Sequence, residues 1–245
     1  MRSGRSAILT YHSLDDSGSA ISVAPRTFRD HMNWLADSGI RVVPLDRVRE
    51  TPGAVALTFD DGFRNFLDCA APALQDKNFP CTVFAVSGFC GESNCWPSQP
   101  ARPWVPVLPL MSWSQLREAA QAGVTIGSHT ATHPPMASLS ATEVEHELRS
   151  SQSAIEDCIG KPVTAFAYPY GESTPAVREA VRRRFKVGCG VKLDFVSRGS
   201  DPVDLPRLDV YYLQSPIWFH SLGAAYGGAY IAARRWLREL RARKA

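Results

Sequence analysis

The chain has 245 residues, 44% of them apolar and 21% charged, and a net charge of +3 at neutral pH. That length can bury a full core, and the small positive balance excludes a dedicated nucleic-acid binder. No apolar run reaches the ~20 residues that span a bilayer, and the N-terminal run in "MRSGRSAILTYH" is broken by Tyr11 and His12, so no signal peptide is expected and the location expected is cytoplasmic.

Cysteine usage agrees with that. The six thiols, at Cys69, Cys81, Cys90, Cys95, Cys158 and Cys189, include no CxxC pair, which argues against a zinc ribbon. Cys90 and Cys95 are spaced to close a small loop, but a reducing compartment would keep them as thiols.

In chain order, Ser6–His12 reads as a strand and Arg26–Gly39 as an amphipathic helix stopped by its glycine. Ile40–Leu45 and Ala54–Phe59 read as strands, Phe66–Asn78 as a helix and Cys81–Val86 as a strand. A long segment rich in Pro, Gly and Trp follows, Ser87–Met111; loops of such length inside a compact domain are functional or disordered, and Trp96 and Trp104 favour an ordered, ligand-facing loop. Two capping boxes, Ser112 with Gln115 and Ser140 with Glu143, open helices, the second reaching about Ile159. Between them Val124–His129 reads as a strand. Val163–Pro169 is the next strand, Thr174–Phe185 a helix, Lys186–Val191 a strand and Leu205–Tyr211 a last short one. No internal repeat is visible, and the β/α alternation implies one domain, 1–245, with a parallel sheet, open or closed into a barrel, whose strand C-terminal ends carry the site.

Three unusual clusters fall at predicted strand ends: Asp60-Asp61 after "VALTF", His129 and His133 in "SHTATHP", and "YPYG" at 168–171. Taken singly, each has an ordinary reading. Adjacent aspartates before a glycine can be a turn with a capping residue, and two loop histidines four apart are common without a metal. Together at successive strand ends, two imidazoles and an acid suit a divalent metal such as zinc.

With "TFDDG" (58–62), "SHTATHP" (128–134), "YPYG" (168–171), and the supporting "TYH" (10–12) and "LPR" (205–207), the sequence resembles the polysaccharide deacetylases, the NodB-homology domains of carbohydrate esterase family 4. The resemblance implies a deformed (β/α) barrel and metal-dependent removal of N-acetyl groups from an amino sugar in a polysaccharide, oligosaccharide or carrier-linked saccharide. It also implies that Asp61, His129 and His133 hold the metal, zinc first among the candidates, that Asp60 is the general base, and that the Tyr170 backbone N–H lines an oxyanion position. Two departures stand out. Ala167 occupies the position where many members carry an arginine that orients the base; Arg207 is the candidate replacement, against the alternative of a surface ion pair. The leucine-x-histidine strand that usually supplies the acid is missing. His12, ending the first strand, is the expected acid, because Ser215-Pro216 reads as a helix start that puts His220 on a helix.

The C-terminal stretch, about 229–243, reads as a basic amphipathic helix with Tyr230, Ala233, Leu237 and Leu240 on one face. The expectation is a barrel-covering helix with a solvated arginine face, or, more sharply, one that meets an anionic membrane surface. Two further readings of the chain stay open: a catalytically inactive sugar-binding module on the same fold, and a hydrolase of non-sugar amides. The sequence does not name the sugar, its carrier or the oligomeric state.

Overall fold

A computed structural model describes residues 5–99 and 104–242, with side chains through residue 240. Seven strands, β1 (Ala7–Tyr11), β2 (Val55–Phe59), β3 (Cys81–Ala85), β4 (Thr125–Ser128), β5 (Ala165–Ala167), β6 (Val187–Cys189) and β7 (Leu208–Asp209), form one all-parallel sheet in the order β6-β5-β4-β3-β2-β1-β7. Helices α1 (Pro25–Asp37), α2 (Ala71–Asp76), α3 (Trp113–Gln121), α4 (Ala141–Ile159), α5 (Pro175–Arg184), α6 (Pro216–His220) and α7 (Gly227–Ala242) intervene or follow. This is the deformed (β/α) barrel expected above. The segment before β7 brings the sheet's two edges together: Leu205 bridges Cys189 of β6, and three residues later Leu208 pairs with Leu9 of β1.

Strand side chains alternate between two packed layers, as the pleat requires. Leu9, Tyr11, Leu57, Phe59, Val83 and Phe166 face the helices, while Ile8, Ala56, Phe84, Ala165 and Ala167 fill the barrel interior. Three of these interior residues are alanines, and Phe84 is the largest. Its ring has room because β4 carries glycine at 127, where a Cβ would lie 2.5 Å from Phe84 Cδ1. Extending the same alternation one step past each strand end points His12, Asp60 and His129 into the barrel mouth.

Both capping boxes are present, at Ser112–Gln115 and Ser140–Glu143. Three elements differ from expectation. Ile40–Leu45 is not a strand; only Val42 bridges, to Val55, and a 3-10 turn starts at Leu45. The helix expected over Phe66–Asn78 begins as a wide π-turn at Phe66–Ala70 and becomes α-helical only at Ala71, because Pro72 has no N–H to donate and is accommodated at a helix start. The C-terminal helix covers the barrel, but its described arginine side chains do not form a solvated face: Arg234 lies over the Tyr212 and Tyr230 rings, Arg235 pairs with Asp194, and Arg238 donates to the Val191 carbonyl at 3.0 Å. Ile231 is the buried anchor, and Trp236 and Leu237 point outward. All six cysteines are free thiols, Cys90 and Cys95 included. Among the described residues no helix is long and apolar enough to cross a membrane.

Candidate active site

The mouth of the barrel holds a cleft lined by His12, Asp60, Asp61, Trp96, His129, His133, Tyr170 and Arg207, among others. All seven site residues expected from sequence therefore meet in one place. Asp60 continues the β1–β2 ladder, its amide donating to the Tyr11 carbonyl at 2.9 Å, so its side chain follows the inward alternation. Asp61 cannot follow in the same way. Its φ is 69°, and that left-handed turn swings the second carboxylate into the cleft as well. Of the five non-glycine residues with positive φ among the described residues, Asp61, Thr130, His133 and Tyr170 belong to this site or its loops. Such conformations cost ~1–3 kcal/mol each and persist where surroundings over-determine them.

Two adjacent carboxylates would repel, and the structure separates their partners. Arg207 grips Asp60 with both ends of its fork, Nη1 to Oδ1 and Nη2 to Oδ2, each at 2.7 Å. Its Nε–H donates to the Gly190 carbonyl at 2.8 Å, and the guanidinium is only 2% exposed, so this is a buried bidentate pair and not a surface one. His12 stands on the other side of Asp60, Nε2 to Oδ2 3.8 Å, with its ring 23% exposed to the cleft. Burial alone would push the Asp60 carboxyl up; Arg207, aided by His129 and His12, holds it below the usual carboxylate range.

Asp61 instead faces the two histidines. Its Oδ1 lies 3.4 Å from His129 Nε2 and 3.4 Å from His133 Nε2. The donor atoms of all three buried residues lie within 4.8 Å of one another. Tetrahedral coordination with bonds of ~2.0–2.1 Å separates ligand atoms by about 3.4 Å, so the spacing fits a single divalent ion. The ring tautomer fits as well. His129 Nδ1–H donates to the Ala167 carbonyl at 2.8 Å, leaving the Nε2 lone pair toward Asp61. His133 is held by Trp96 stacked on one face (4.2 Å, 29°) and the Tyr170 ring edge-on (4.8 Å, 78°). At His133 burial prevails and keeps the imidazole neutral, the form that ligates; at His129 burial also opposes charge, but Asp61 and Asp60 overcome it.

Tyr170 lines the cleft and sits at φ 55° in a turn whose hydrogen bonds come from the Gly171 and Glu172 amides, leaving its own N–H outside them. Its hydroxyl donates to the Ser98 carbonyl at 2.9 Å and so ties the turn to the long loop. In that loop Trp96 is buried against His133, whereas Trp104 is 63% exposed. His220 lies elsewhere, on α6, stacked on Trp34 (4.9 Å, 11°), beside Phe219 stacked on His31 of α1. Two charged residues lining the cleft were not anticipated from sequence, Asp209 of β7 and Arg238 of α7. Asp209 stands two after Arg207, so strand periodicity was the available signal; nothing local marks Arg238.

Comparison with known proteins joins this geometry to a family. A polysaccharide deacetylase family model matches residues 47–184, which include Asp60, Asp61, His129, His133 and Tyr170 but neither His12 nor Arg207. YxkH of Bacillus subtilis (strain 168), which carries the name of a polysaccharide deacetylase, is 24% identical over 212 residues, 83% of this chain and 70% of its own. A chitooligosaccharide deacetylase of Azorhizobium caulinodans is 26% identical, with 66% of this chain and 67% of that one covered. The poly-beta-1,6-N-acetyl-D-glucosamine N-deacetylase of Escherichia coli (strain K12) is 28% identical over 50% of this chain but only 20% of its own length. Among solved structures, IcaB from Ammonifex degensii superposes with a TM-score of 0.73 at 21% identity, covering 91% of this chain and 97% of that one, and shares the fold. The matched motifs are the same ones that build the barrel mouth, and the chain belongs to the polysaccharide deacetylase family.

Proposed function

We propose that the chain is a single catalytic unit that hydrolyses the N-acetyl group of an amino sugar, with a divalent metal, zinc first, held by Asp61, His129 and His133. The observation that carries this reading is the division of labour between neighbours: Asp61 faces two imidazole nitrogens at ligand spacing, while Asp60 is held off them by Arg207. A divalent ion in the triad supplies Lewis acidity toward a water molecule and the acetyl oxygen. Asp60 takes the proton from the water as its oxygen bonds to the acetyl carbon. Arg207 keeps that carboxylate ionised and fixes its plane. The Tyr170 N–H donates to the oxygen that gains charge as the carbonyl becomes tetrahedral. As the C–N bond breaks, His12 gives its proton to the departing amine, and acetate and a free amino sugar leave.

The test is acetate release from N-acetylated oligosaccharides, measured with the metal content of the same samples. The parent should hold about one divalent ion per chain, and His133→Ala should lose ion and activity together. Unchanged metal content in that variant would remove the proposed site. Contact of α7 with an anionic membrane finds little support, since its described arginines are engaged by protein groups; flotation with anionic vesicles should recover no protein.

A further inference from the structure

On the apolar face of α4, among Val144, Leu148 and Ile155, stands a buried acid, Glu147, only 7% exposed. Its carboxylate neither lines the cleft nor approaches a metal ligand atom. Oε2 accepts the Ala131 amide at 2.8 Å and the Thr132 amide at 2.9 Å, and Oε1 accepts the Thr132 hydroxyl at 2.7 Å. Those residues lie between the two histidines of the triad. One turn further along α4, the Ser151 hydroxyl takes the bond from Ser128, the residue before His129, and Ser128 Oγ in turn accepts the Thr130 amide at 3.3 Å.

The segment so gripped is under strain. Thr130 and His133 both have positive φ, 68° and 58°, without being glycine. On its opposite side the loop after β3 donates to it, Ser87 N–H to the Thr130 carbonyl at 3.2 Å and Gly88 N–H to the Ala131 carbonyl at 2.9 Å. That approach is so close that a Cβ at Gly88 would lie 2.6 Å from the Ala131 oxygen. Carbonyls are thus pinned from one side and amides from the other. Among the described residues only Glu147 accepts the amides of Ala131 and Thr132.

We infer that Glu147 is a positioning residue for the metal triad, holding the segment between His129 and His133 in the strained turn that aims His133 Nε2 at Asp61. The inference rests on the metal reading above. It requires a carboxylate-sized acceptor at that reach; the negative charge itself is dispensable. A glutamine retains both roles, its carbonyl oxygen accepting the two amides and its NH2 donating to the Thr132 hydroxyl. An aspartate keeps the charge but is one methylene too short.

The experiment measures zinc affinity of the full-length protein by competition with a chromophoric chelator, alongside the electronic spectrum of the cobalt-loaded protein and melting of the metal-free protein. Outer partners of ligating groups contribute ~10–100-fold in metal affinity, so Glu147→Ala and Glu147→Asp should weaken zinc binding by about that factor and alter the cobalt spectrum. Glu147→Gln should bind close to the parent. If the alanine variant does not fold, the Asp and Gln pair decides. Parent-like affinity in Glu147→Asp would overturn the inference even with a lowered metal-free melting point, since that pattern is structural support only. Equal losses in Glu147→Gln and Glu147→Asp would also overturn it, by making the negative charge a requirement alongside reach. A parent that binds no divalent ion at all would remove the metal reading itself, and the inference with it.

Discussion

Replacing Arg207 by methionine removes the fork from Asp60 and leaves a chain of similar volume in its place. Both partners are nearly inaccessible, Arg207 at 2% and Asp60 at 3%, so water cannot take over the lost bonds. Breaking a buried ion pair by deleting one partner costs ~3–5 kcal/mol, because the other charge is left uncompensated. For a chain of this size each kcal/mol moves Tm by ~2–4 °C, giving a drop of about 6–20 °C at neutral pH. The deficit should depend on pH in one direction. Asp60 is held below its ordinary value in the folded parent, so its contribution to stability is present above the unfolded carboxyl pKa, near 3.9, and is lost as pH falls through the lower folded value. In Arg207→Met burial raises Asp60 instead, and protonation then relieves the buried charge. The gap between parent and variant should therefore be widest at pH 7 and close as the pH falls below about 4. Melts run with a chelator throughout keep the comparison free of metal loss. Asp60→Asn should rescue the variant, making the double mutant more stable than Arg207→Met alone. A deficit below ~1 kcal/mol that ignores pH would mean the pair is worth no more than a screened surface contact, and would refute the reasoning.

Three other outcomes follow from the same geometry. Asp60→Asn should keep its metal, since Asp61 is the carboxylate that faces both histidines, while turnover falls ~10²-fold or more; loss of metal, read by elemental analysis, would show that the two aspartates are interchanged. His12→Ala should likewise keep its metal and lower kcat by ~10²-fold or more. His220→Ala, which removes only a stack on Trp34, should cost ~0.5–1.5 kcal/mol of stability and leave kcat unchanged; the reverse pattern, an active His12→Ala and a folded but dead His220→Ala, would reassign the acid.

What was legible in the sequence divides along a physical line. The strand ends were readable because a pleat has period two: once "VALTF" is a strand, Asp60 must project to the face opposite Phe59, and the same holds for His129 after "VTIG". Asp61, His133 and Tyr170 break that periodicity through positive φ, which no local pattern announces, so their inward turn came only from the family resemblance and was then seen in the backbone. The strand expected at Ile40–Leu45 failed for a related reason. Its apolar run is genuine, but Val42 and Leu45 are used to cover the end of β2 and to close the barrel floor, and side-chain burial does not require a ladder.

The pairing of Asp60 with Arg207 lies furthest from any local signal, 147 residues apart in sequence. What brings the two together is the path of the segment before β7, which runs beside β6 at Leu205 and crosses to β1 by Leu208. Arg207 falls at the crossing, where the chain passes over the barrel mouth and its side chain lies above the Phe84 ring. Position 167, in β5, lies two strands beyond β3 on the His129 side of Asp60, and the Ala167 carbonyl there accepts His129 Nδ1–H. The closing segment approaches Asp60 from the opposite side and leaves the triad's flank untouched. The same guanidinium therefore bonds both Asp60 after β2 and the Gly190 carbonyl after β6, so the substitutions that lower turnover at this position should be the ones that lower stability.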